Sequence, residues 1–205
     1  MCTTRTATTS RRFATRLSSA ALALLAAGCG GSSSSHTFGV DGHVGPLHVD
    51  RSDRAAVIHY AGTPDAERRG HPIGYSPYRA LGYDCTPTRR SNDTVQIVFR
   101  GPFCRTVFFL DGKTGKLEDF FTASRDYSES HGLRVGTSQA VAERALHQRL
   151  RIGCLAALRI SSSKASVAME FTGGTEKGTS IRGAHISDFA LHGVRYHDYG
   201  VFDCL

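Results

Sequence analysis

The chain has 205 residues, with 25 Lys and Arg against 18 Asp and Glu and a formal net charge of +7. Four of the basic residues, Arg5, Arg11, Arg12 and Arg16, stand in an N-terminal stretch that has no carboxylate. Past it the balance is 21 to 18, a net of +3 with the signs interspersed. Charge spread in this way argues against nucleic acid as a partner and leaves no block of like charge to serve as an interaction tail.

A short apolar run, Ala20-Ala21-Leu22-Ala23-Leu24, follows the arginines and leads into Leu25-Ala26-Ala27-Gly28-Cys29. The run is too short to cross a bilayer, which needs about 20 apolar residues. A charged start, a short apolar stretch and small residues at a cleavage point are the parts of a secretory signal. With Cys directly after Ala-Ala-Gly, the segment resembles a bacterial lipoprotein signal. That resemblance implies removal of residues 1–28, a lipid on Cys29, and a protein held at the cell membrane on its extracytoplasmic side. Residues 29–39, opened by Gly30-Gly31-Ser32-Ser33-Ser34-Ser35, read as a tether with nothing to bury.

Six cysteines are present. Cys2 leaves with the signal and Cys29 takes the lipid, so Cys85, Cys104, Cys154 and Cys204 remain. An even number in an exported protein argues for two disulfides. No Cys-x-x-Cys occurs, which argues against a redox pair or a zinc knuckle. Four cysteines allow three pairings. Cys85–Cys104 with Cys154–Cys204 is favoured, because an internal repeat divides the chain between them.

In that repeat Gly45-Pro46-Leu47-His48-Val49-Asp50-Arg51-Ser52 lines up with His131-Gly132-Leu133-Arg134-Val135-Gly136-Thr137-Ser138. Ser52 and Ser138 are each suited to cap a following helix. Ala55, Ile58 and Ala61 share one helical face after the first. Ala142, Ala145, Leu146 and Leu150 do so after the second. Gly62 and Pro64 stop the first helix. Val95–Phe99 alternates as a strand does. Arg105–Leu110 and Lys116–Phe121, joined by Asp111-Gly112-Lys113-Thr114-Gly115, read as a hairpin. In the second half Ser166–Phe171 reads as a strand, 173–178 as a turn, and Ile181–Leu191 and Arg195–Cys204 as further strands. The expected fold class is α+β: two short helix-plus-antiparallel-meander units, 40–122 and 123–205, stapled by disulfides.

This tandem arrangement resembles the β-lactamase-inhibitor-protein fold and the small outer-membrane assembly lipoproteins. Val135-Gly136-Thr137-Ser138-Gln139-Ala140-Val141 matches their helix start, and Ser52–Val57 followed by Gly62-Thr63-Pro64 matches the start and stop. The second copy departs, with Arg151-Ile152-Gly153-Cys154 at the stop. The resemblance implies a non-catalytic binding scaffold. No inhibitory loop of that family can be placed on this chain.

Motifs for catalysis are incomplete. Gly173–Ser180 has phosphate-loop glycines, but Thr179 stands where Lys is needed. Ser161-Ser162-Ser163-Lys164 has a nucleophile's spacing without its partner elements. His185, His192, His197 and Asp198 are of metal-ligating type, in a spacing tied to no coordination pattern. Tyr75, Tyr78, Arg79 and Tyr83 are the residue types of binding hot spots, while Tyr78 and Tyr83 suit equally a core beside the disulfide. The functional expectation is a cell-envelope lipoprotein with a non-catalytic binding domain. Its partners are the membrane, through the lipid, and another protein or envelope component, with no cofactor. The alternative is a small envelope hydrolase or metal-binding protein built on His185, His192 and His197.

Overall fold

The computed structural model describes residues 36–70, 77–87, 103–152, 156–177 and 180–193. Expectations for Cys29, Tyr75, Val95–Phe99, Cys154, His197, Asp198 and Cys204 lie outside those residues. Three two-residue strands come first, β1 (Thr37–Phe38), β2 (His43–Val44) and β3 (Leu47–His48). Helix α1 (Arg54–Ala61) follows, then β4 (Ala66–Gly70), β5 (Tyr78–Thr86), β6 (Phe103–Asp111) and β7 (Leu117–Thr122). Next come β8 (Ser128–Glu129), helix α2 (Gln139–Leu146), β9 (Arg151–Ile152), β10 (Ala156–Ser161) and β11 (Ala165–Thr172). A hairpin of β12 (Thr175–Lys177) and β13 (Ser180–Arg182) precedes β14 (His185–Gly193).

The molecule is α+β and sheet-rich. One eight-stranded antiparallel sheet has the order β4-β5-β6-β7-β14-β11-β10-β9. It runs through both expected units without a break, because β7 pairs with β14. A small sheet, β3-β2-β1-β8, ties the chain before α1 to the segment before α2. Segment 173–178, expected as a turn, instead carries β12, which pairs with β13.

Asp53, not Ser52, caps α1, its carboxylate accepting the Ala56 N–H at 3.1 Å. The Ser52 hydroxyl closes the turn before it, accepting the His48 N–H at 2.9 Å. Thr137 Oγ1 does the same for the Arg134 N–H at 3.0 Å. Ser138 then stands at the N-cap of α2 with no side-chain cap bond. Leu47 and Leu133, paired in the sequence repeat, are both buried. Between them and the helices the first loop is one residue longer, which moves the cap from Ser to Asp.

Both helices pack on the same face of the sheet. Val57 of α1 and Ala142 of α2 join one core with Leu81, Phe108, Phe120, Val167, Met169 and Leu191. Phe38 of the small sheet enters it too, its ring 5.5 Å from Phe120 and 5.1 Å from Phe189. On α2 the expected face is the packed one. On α1 it is displaced, with Ala56, Val57, Tyr60 and Ala61 inward and Ala55 exposed. The opposite sheet face holds Ala80, Val107, Phe109, Phe121, Ala168 and Ala190. Burial on both faces explains why β7 conceals even Glu118 and Asp119.

Candidate functional site

A groove of about 860 Å³ among the described residues lies where the two halves of the chain meet. The first half supplies Phe103 and Arg105 from β6 and the segment 123–126 that leaves β7. The second half supplies Val135 and Gly136 before α2, and His185 to Ser187 at the start of β14. Backbone bonds hold each side of the groove separately. Gly136 N–H donates to the Ile186 carbonyl at 2.8 Å, and Ile186 N–H to the Thr137 carbonyl at 2.9 Å. Ala123 N–H donates to the Arg105 carbonyl at 2.7 Å. Gly136 has φ +91, a left-handed conformation that favours glycine, and the Arg125 guanidinium lies over it.

The groove is polar and carries more positive than negative side chains. The Ser124 hydroxyl donates to Asp126 Oδ2 at 3.0 Å. Arg105 has a loose pair with Asp84 at 3.5 Å, both well exposed. Arg125 is exposed and forms no ion pair among the described residues. Phe103 and Val135, both partly exposed, provide apolar surface. Cys85 and Cys104 face each other across β5 and β6 beside this end of the sheet and are disulfide-bonded, as the repeat suggested.

Of the other sequence-selected residues, Tyr78 and Arg79 line one smaller cleft together, and neither Tyr83 nor the histidines join them there. Tyr78 is 6% exposed and sits in the second core cluster, its ring 6.0 Å from Phe109. Most of its ring is therefore in the core, not on an open contact surface. Tyr83 is half-buried, and its hydroxyl donates to the Gly62 carbonyl at 3.2 Å. Burial pushes that hydroxyl's pKa up to about 12. Arg79 pairs with Glu67 at 3.1 Å. His185 and His192 stand at opposite ends of β14, seven residues and so roughly 23 Å apart at strand rise. His185 lines the groove. His192 is buried against Asp119, its Nδ1 3.3 Å from Oδ1. The two cannot share an ion. Among the described residues no three metal-ligating side chains gather.

Two polar features had no sequence signal. Glu129 is fully buried, and its carboxylate accepts the His131 N–H at 2.7 Å and the Ser130 hydroxyl. The Asp119–His192 pair lies on the seam strands. Neither involves a sequence motif, because each is made by strand register or by a local turn.

No family model and no curated protein matches the chain. Among solved structures it is similar to the crystal structure of the uncharacterized protein yfeY from Escherichia coli. The two are 11% identical, over 76% of this chain and 99% of that one, with a TM-score of 0.44. At that score the likeness carries no weight for function.

Proposed function

We propose that the protein is a lipid-anchored component of the cell envelope whose α+β domain holds a partner protein in the groove between its halves. The signal segment ending at Cys29 supports the address and the anchor. The groove supports the rest: it is lined by the guanidinium groups of Arg105 and Arg125, by hydroxyls and by the Phe103 ring. Arg with aromatic surface is the composition of interface anchors.

The groove has this place because, in our reading, the chain is two copies of one unit related by a pseudo-twofold axis. Strand order reads outward from the seam as β7-β6-β5-β4 on one side and β14-β11-β10-β9 on the other. Phe121 lies opposite Ala190 at the centre of the seam. Each inner strand pair breaks register at the matching place, beside Glu118 in β7 and beside Ser187 in β14. Ser52 and Thr137 carbonyls accept the N–H of Leu117 and Ile186, near the starts of the equivalent strands. Duplicated units that share a sheet leave a furrow along their seam, and furrows between units are common binding sites.

A photo-crosslinking amino acid at Ser187 in the full-length protein, in cells, tests the proposal. A discrete protein adduct is expected there and none at the exposed Lys164. Arg125→Glu should abolish it. An adduct of equal yield from both positions, or none from Ser187, defeats the groove. Cys29→Ser should release the protein from the membrane fraction, and retention there defeats the anchor.

A further inference from the structure

A second cleft, about 360 Å³, lies at the β4 edge of the eight-stranded sheet as seen among the described residues. Three elements meet there: the start of α1, the edge pair β4–β5, and the β6–β7 turn. They bring Arg54, Arg69, Arg79 and Lys113 to one place. The Tyr78 ring lies close over Gly70, where a Cβ would come within 2.4 Å of it, and walls the cleft.

The arrangement is electrostatically unfavourable as it stands. Arg69 and Arg79 are directly opposite across the β4–β5 ladder. Like charges in that relation destabilise a sheet. Glu67 is shared, taking Arg54 Nη2 at 2.7 Å and Arg79 Nε at 3.1 Å. It leaves Arg69 and Lys113 with no carboxylate partner among the described residues. Asp111 is occupied in part by the turn itself, accepting the N–H of Lys113 and Thr114. Protection of a sheet edge against pairing needs charge but not a facing pair of one sign. Glu67 holds two guanidinium groups in fixed positions, and the two remaining cations face the same space.

We propose that this cleft binds a phosphate group. Guanidinium forks and an ammonium arriving from three directions fit a tetrahedral oxyanion better than a planar carboxylate. The volume admits a phosphate with a small substituent. A free phosphate monoester and the phosphodiester of a lipid headgroup share this chemistry. The site has no residue in common with the inter-half groove, so its failure leaves the partner-binding reading standing.

The test uses the full-length protein in neutral detergent at constant ionic strength. It is titrated by calorimetry with inorganic phosphate and, separately, with glycerophosphoglycerol, with chloride as the reference anion. Saturable binding of either is expected. Phosphate alone marks a monoester site; binding of the diester marks a headgroup site. Arg69→Gln and Lys113→Gln should each weaken binding about tenfold or more, the effect of losing one charge-assisted contact. Arg134→Gln, an exposed arginine outside the cleft, should not. Removing Arg69 also relieves the Arg69–Arg79 clash, so the ligand-free Arg69→Gln protein should melt no lower than wild type. A merely structural arginine would show the opposite. No saturable binding of either anion, or unchanged affinity in both variants, overturns the site.

Discussion

Asp53 shows how one side chain sets a helix start. Its carboxylate accepts the Ala56 N–H, and that bond, with Lys116 nearby, holds its pKa below the usual 3.8. A carboxyl whose folded pKa is depressed contributes stability above the unfolded value and loses it as pH falls through the folded one. Asp53→Ala should therefore lower the melting temperature at neutral pH, and the gap from wild type should close below pH 3.8. Ser138→Ala should leave the melting temperature nearly unchanged, because the Ser138 hydroxyl makes no cap bond. Parallel thermal melts from neutral pH to pH 3 would check both; a constant gap for Asp53→Ala means that the charged cap contributes nothing. Ser and Asp are about equally good caps, so Ser52-Asp53 in sequence gives no basis for choosing between them. The choice is made by a loop that is one residue longer than its counterpart before α2.

At the scale of elements, legibility followed period and chemistry. The β6–β7 hairpin was readable because two β-rich runs flank Asp111–Gly115, and the Asp111 side chain does cap the turn. The packed face of α2 was readable because its apolar residues are few and aligned. That of α1 was not, since Ala55, Ala56, Val57, Ile58, Tyr60 and Ala61 are apolar nearly all round. Strand β12 was hidden by glycines and polar residues that look like a loop, and the single strand expected over Ile181–Leu191 is divided at Gly183, φ +77, into β13 and β14. The inter-half groove could be foreseen only as a consequence of the repeat; its lining residues come from strand register, which sequence does not display. Cys85–Cys104 joins residues already opposite in the β5–β6 ladder and closes a loop with a separation of 19. In the chain-entropy model such a loop is worth about 3 kcal/mol, through the unfolded state. Cys85→Ala/Cys104→Ala should lose about that much in denaturant unfolding, with the circular-dichroism spectrum kept. A loss under ~1 kcal/mol would show that the unfolded chain is not constrained by the bond.

The whole molecule behaves as one cooperative body if the seam governs it. β7 and β14 pair over four residues, and Phe120, Leu191 and Phe189 beside the seam belong to the core that both helices cover. Neither half can close that core alone: without its neighbour each would expose an apolar strand edge, an aggregation hazard. Asp119 and His192 lie opposite each other on these strands, only 1% and 3% exposed. Removing one member of such a buried hydrogen-bonded pair costs about 1–3 kcal/mol, because the polar group that loses it stays out of water. Asp119→Ala should therefore destabilise both halves together. Hydrogen exchange can follow this strand by strand. One shared loss of protection is expected in β5–β6 and in β10–β11, with a single unfolding transition in wild type and variant. Loss confined to β6 and β7, with β10–β11 still protected at the wild-type level, would mean that the two halves are independent domains resting against each other. The groove between them would then open and close freely, instead of being a fixed surface ready for a partner.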